Sequence, residues 1–350
     1  HDREFKEKFM NTVQRIGEET FVRESYRTQK SINLFRLSLI DYLMSHPLDV
    51  PSCGEIIHDH FTGRSPLQSL SAAAGFLDLA PYVPLQRARS DTACSLQEIA
   101  EDILRTIMKS LEVRKISLSK LTQSDFRFLN EISGRLWQDS EDSGAEDIEG
   151  FLETATKIDL SMLMKSSLMI VESILIEQLG KIQSETAKLR PFDLPDSQTV
   201  IDNSVKRDSG SGRDGSAKES GFGGDVLFIQ EVAGIGRVVV GGPGTTWYYD
   251  DAAIIIDLGG DDYYFNNAGA SRGEAPIAIC IDLSGNDTYT SGTSYCQGSA
   301  RFGTGILLDL EGDDRYMGKE FCQGSGLFGM GLLYDEEGED SYHADIFSQG

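Results

Sequence analysis

What is scarce in this chain narrows its chemistry before any motif is considered. Positive charge is the first shortage. The 350 residues carry 32 Lys+Arg against 56 Asp+Glu, a net charge of −24. Residues 223–350 hold five Lys/Arg and 21 Asp/Glu, a balance of −16, against −8 for residues 1–222. Such a field repels phosphate backbones and argues against a nucleic-acid surface. It suits cations, basic partners or a high-salt setting. Long apolar runs are missing too. The most apolar stretch, residues 160–179, contains Lys165, Glu172 and Glu177, so it reads as a core helix and not as a transmembrane segment. The five cysteines, Cys53, Cys94, Cys280, Cys296 and Cys322, fall at no zinc spacing. There is no Gly-x-Ser-x-Gly elbow and no His-rich metal motif. No signal peptide is visible and the first residue is His1, so the start is expected to be processed, trimmed or unobserved.

What is present follows two grammars. Residues 1–190 are helical in pattern. Ile99, Ile103, Ile107 and Leu111 recur every four residues behind a Ser95/Glu98 capping box, and Thr122/Asp125 repeats that start signal. "SINLFRLSLIDYLM" gives an earlier amphipathic helix that stops at "HPLDVP", His46 closing it before Pro47. Residues 148–183 give the longest helical run, after the acidic loop "QDSEDSGAEDIEG". Residues 191–222 are Gly/Ser-rich and read as a flexible linker. From residue 223 short β-branched runs alternate with Gly-rich turns. The expected fold is therefore α+β multidomain: an N-terminal α-helical bundle, then a C-terminal parallel β-solenoid.

The solenoid expectation rests on a repeat. "IDLGGDDYY", "IDLSGNDTY", "LDLEGDDRY" and "YDEEGEDSY" align on Asp257, Asp282, Asp309 and Asp335, with spacings of 25, 27 and 26. Three residues later stand Gly260, Gly285, Gly312 and Gly338; then Asp261, Asn286, Asp313 and Glu339; then Asp262, Asp287, Asp314 and Asp340. Two further on are Tyr264, Tyr289, Tyr316 and Tyr342. "VVVGGPGTTWY" is a degenerate lead copy, with Gly241 in the first Asp position and Thr245 and Thr246 replacing the acids. A unit of about 26 residues cannot bury its own apolar row, but stacked units bury a continuous one. Coils stack roughly 4.8 Å apart, so equivalent residues form ladders.

The acid ladder demands an account. Carboxylates about 5 Å apart repel by roughly 3 kcal/mol per pair at an effective dielectric near 20. Calcium between the coils would relieve this, since carboxylates and turn carbonyls are its natural ligands. Asx-turns would do so by donating turn amides, and splaying into water would do so by solvation. "SGNDTY" and "GGDDYY" resemble the repeats-in-toxin (RTX-type) nonapeptide, whose turns bind calcium between coils of a β-roll. Those repeats run in tandem every nine residues, so here the ligands would come from neighbouring coils. The resemblance implies metal ligation by Asp262, Asp287, Asp314 and Asp340, with Asp257, Asp261, Asp282, Asn286, Asp309, Asp313, Asp335 and Glu339 beside them.

Smaller signals are weighed against this frame. "GGPGTT" suggests a phosphate loop but lacks the lysine and aligns with the repeat. His58 and His60, read as extended, form a His-x-His pair without an evident third ligand. Cys296 and Cys322 occupy equivalent sites in adjacent coils, within disulfide reach, so a bridge and a stack of reduced thiols both stay open. The chain ends on "SQG", the opening of another coil. That edge is expected to be covered by a partner protein or by more solenoid, the chain being a fragment, a processed product or an assembly subunit. The functional expectation is a non-enzymatic structural or interaction protein outside the cytoplasm (periplasmic, cell-surface or secreted), with a calcium-stabilised solenoid and a helical docking domain. A carbohydrate-active β-helix enzyme and a metal-free cytoplasmic assembly factor are the alternatives.

Overall fold

A computed structural model describes residues 37–61, 68, 72–73, 75–77, 79, 95–134, 145–186 and 221–348. The expected linker falls almost wholly outside them. Helices fill the described N-terminal half. Helix α1 (Ser38–Ser45) ends where the His46 amide bonds the Tyr42 carbonyl at 2.8 Å, just before Pro47. The stop is only one turn long: a 3₁₀ turn (Pro47–Asp49) leads into α2 (Val50–Phe61). Pro51 falls in the first turn of α2, where a missing amide costs no helical bond. Helix α3 (Leu96–Ser117) buries Ile99, Ile103 and Ile107, and its Ser95/Glu98 box closes at 2.8 and 3.3 Å. Helix α4 (Gln123–Ser133) starts at the Thr122/Asp125 box.

Residues 148–183 are not one helix. Helix α5 (Ala145–Ala155) already starts within the acidic loop. The chain then turns, and the Asp159 amide bonds the Ser117 carbonyl at 3.0 Å. Helix α6 (Leu160–Glu172) runs through a π-helical stretch (Ser173–Gln178) into α7 (Leu179–Thr186). Packing divides the chain into two compact units. Helices α1, α2, α4 and α5 belong to one; α3 up to Ile116, α6 from Met162, α7 and all the strands belong to the other.

In the second unit the chain builds a parallel β-solenoid. The elements are β1 (Phe222–Val232), β2 (Gly236–Tyr248), β3 (Ile254–Asp257), β4 (Tyr263–Tyr264), β5 (Ile277–Asp282), β6 (Thr288–Thr290), β7 (Ala300–Arg301), β8 (Thr304–Asp309), β9 (Arg315–Met317), β10 (Gly326–Leu327), β11 (Met330–Asp335) and β12 (Ser341–His343). One parallel stack runs β2-β3-β5-β8-β11 and a second runs β2-β4-β6-β9-β12. β7 and β10 make a short third one. The register matches the alignment: Asp257, Asp282, Asp309 and Asp335 pair in sequence, as do Tyr264, Tyr289, Tyr316 and Tyr342. β1 lies antiparallel on the lead strand β2, so the first coil has no bare edge.

The interior is built from columns. Val239, Ile255, Cys280 and Leu307 form one, with Leu333 packed against it. Tyr248, Tyr264, Tyr289 and Tyr316 form another, with centroids 4.5–4.8 Å apart. β5 and β8 are buried on both faces, which explains why they read as unbroken apolar runs. Two contacts tie helices to this wall: Arg114 Nε donates to the Phe302 carbonyl at 2.7 Å, and the Thr304 and Ser167 hydroxyls meet at 2.7 Å. The repeated glycine is a steric requirement. Gly285 and Gly312 have φ of +149° and +152°, and a Cβ on either would overlap the carbonyl oxygen of the glycine one coil earlier.

Candidate metal centre between the coils

The three acid positions of each repeat do three different things. The first is buried: Asp257, Asp282 and Asp309 are 0 % exposed. Its Oδ1 closes an Asx-turn, accepting the Gly259 amide at 2.9 Å in one coil and the Ser284 amide at 3.1 Å in the next. Its Oδ2 accepts a tyrosine hydroxyl from the preceding coil. Tyr248 reaches Asp257, Tyr264 reaches Asp282 at 2.5 Å, Tyr289 reaches Asp309 at 2.7 Å and Tyr316 reaches Asp335 at 2.9 Å. Tyr316 also donates to Asp309 in its own coil at 3.0 Å.

The second position is exposed and forms an outer ladder. The Asn286 amide donates to Asp261 Oδ1 at 3.0 Å, the Asp313 amide to Asn286 Oδ1 at 2.9 Å, and the Glu339 amide to Asp313 Oδ1 at 2.9 Å. The third position is an inner ladder running the opposite way. Thr246, Asp262, Asp287 and Asp314 donate their amides to Oδ1 of Asp262, Asp287, Asp314 and Asp340, the last three at 2.6, 2.6 and 3.0 Å. Asp262, Asp287 and Asp314 are at most 1 % exposed.

First and third positions converge. Asp257/Asp262/Asp282, Asp282/Asp287/Asp309 and Asp314/Asp335/Asp340 each bring three carboxylate oxygens within 4.8 Å of one another. Asp282 belongs to two of these groups. Asp261, Asp313 and Glu339 are in none of these three groups, and together with Asn286 they form the exposed outer ladder. Decisively, Asp262 Oδ2, Asp287 Oδ2, Asp314 Oδ2 and Asp309 Oδ1 are buried without a hydrogen-bond partner. A bare carboxylate oxygen in a dry interior is costly, so it calls for a proton or a cation. Burial, reinforced by neighbouring carboxylates, raises the acids: Asp257, Asp287 and Asp309 stand far above the ordinary range, and Asp262 is pushed to about 7. An all-oxygen donor set of this charge fits a hard divalent cation; nothing in it suits a soft one.

The tyrosine hydroxyls are hydrogen-bond partners of the first acid that composition does not reveal, although the constant seven-residue step from first Asp to Tyr is a usable signal. Other sequence candidates resolve simply. His58 and His60 lie on α2, a helix and not an extended segment. No three-residue metal group among the described residues contains histidine. "GGPGTT" is part of strand β2, and its Gly244 amide bonds Asp225 Oδ2 at 3.1 Å, so that donor is already used within the fold. Gly241 replaces the first Asp because a Cβ there would overlap Asp257 and the Tyr248 hydroxyl. No family model, curated protein or solved structure matches the chain.

Proposed function

We propose that this protein is a non-enzymatic scaffold whose solenoid is locked by cations between its coils, calcium being the ion of choice, and whose helices dock a protein partner outside the cytoplasm. The unpartnered buried oxygens at one repeat position in successive coils carry the reading. Three bound carboxylates leave room in a calcium shell for turn carbonyls and water. The RTX-like turn belongs to the same reading, with ligands drawn from neighbouring coils. Repetition favours a scaffold over catalysis: the same three roles recur from coil to coil, whereas an active site is local.

The test is thermal unfolding in calcium against chelator, alongside metal analysis of the native protein. Calcium should raise the melting temperature of the β unit, and Asp287→Asn should remove much of that rise. A melting temperature indifferent to chelator, with no bound metal, would overturn the reading.

A further inference from the structure

The acid face is not the only place where equivalent reactive side chains stack. At another turn of the coil, "YCQG" and "FCQG" place Cys296 and Cys322 one coil apart. Each cysteine sits between two residues in the left-handed region: Tyr295 (φ +58°) and Gln297 (+52°), Phe321 (+52°) and Gln323 (+54°). The corners are clamped in register. Tyr295 donates its amide to the Glu320 carbonyl at 3.0 Å, and Gly324 donates to the Gln297 carbonyl at 2.9 Å. The Tyr295 and Phe321 rings stack beside them at 5.0 Å. Between these clamps both thiols are buried and the sulfurs lie 2.7 Å apart. Gly318 leaves them space, since a Cβ there would crowd Cys322. The same column continues with Asn267 on one side and Ser348 on the other, so no third thiol competes.

We propose that Cys296 and Cys322 are a thiol-modification site, forming an inter-coil disulfide that staples one coil to the next. Parallel stacking keeps the Cα atoms about 5 Å apart, inside the range a disulfide spans without backbone movement. The oxidant is a low-molecular-weight disulfide. The Cys322 thiolate attacks one of its sulfurs and expels a small thiolate, which takes up the proton Cys322 lost. Cys296 then loses its proton and attacks the Cys322 sulfur of the mixed disulfide, releasing the second small thiol. Two protein thiols become one disulfide, and one small disulfide becomes two thiols. With the two sulfurs already 2.7 Å apart, the second thiol reaches the mixed disulfide without backbone movement, and the same balance holds if Cys296 attacks first.

The experiment refolds the full chain in oxidised or in reduced glutathione, traps free thiols by alkylation in denaturant, and maps the peptides by mass spectrometry. In the oxidised sample the Cys296 and Cys322 peptides should be linked, about 2 Da lighter than their sum. Cys280, buried in a different column, should stay alkylatable. The linked protein should melt roughly 10 °C higher than the reduced one. Cys296→Ser and Cys322→Ser should each abolish both the link and the redox shift. Wild type alone suffices if a variant misfolds. Alkylation of both cysteines in the oxidised sample, or a link that leaves the melting temperature unchanged, overturns the staple.

Discussion

At the scale of single residues, the unit of this protein is a hydroxyl–carboxylate pair between coils. Tyr289→Phe removes only the oxygen that reaches Asp309. Because that pair is buried, the change should cost about 1–2 kcal/mol, measured by denaturant unfolding. Asp313→Ala should cost less, about 0.5 kcal/mol, because its partner, the Glu339 amide, lies on the exposed ladder and water can replace it. The positions of these residues were legible from the alignment alone. Their roles were not. Which oxygen accepts which donor depends on how far one coil advances over the last, and that offset is absent from any single repeat. The sequence sets the third acid apart as principal ligand and leaves Asx-turns open for any of the three, where the fold gives the Asx-turn to the first acid, an outer ladder to the second and an inner one to the third.

At the scale of elements, the strands and the helix starts were the readable parts. Capping boxes are local chemistry, and Thr122→Ala should destabilise α4 by about 1 kcal/mol, read by circular dichroism melting. Strand β8 offers a sharper test. Gly305 pairs with Ala278 in β5, yet a Cβ at Gly305 would overlap the carbonyls of Ser299 and Gly298. Gly305→Ala should cost about 3 kcal/mol, while Ala278→Gly should cost about 1 kcal/mol. The contacts of Arg114 with Phe302 and of Ser167 with Thr304 could not be read beforehand. They join residues more than a hundred positions apart and leave no periodic trace. The extended reading of His58 does not hold: it lies on α2, which accommodates Pro51 in its first turn, where proline is tolerated.

At the scale of the whole molecule, the buried carboxyls set a pH dependence. Burial raises Asp262 to about 7 and Asp257, Asp287 and Asp309 further, so the folded state binds protons that the unfolded chain, with carboxyls near 4, does not. In chelator the solenoid should therefore be most stable at low pH and lose stability as pH rises from about 4 through 7 and beyond. Saturating calcium should flatten that fall by holding the ionised forms. Melting curves between pH 5 and pH 8, with and without calcium, check both halves. The two acid ladders also have a consequence for length. Every bond of the two ladders joins a position to its equivalent one coil away, so none of them records how many coils there are. Duplicating residues 283–309 behind Asp309 should splice in a further rung with all its ladder bonds satisfied. In engineering terms the solenoid is a ruler graduated in units of one coil, and genetic duplication is the operation that lengthens it.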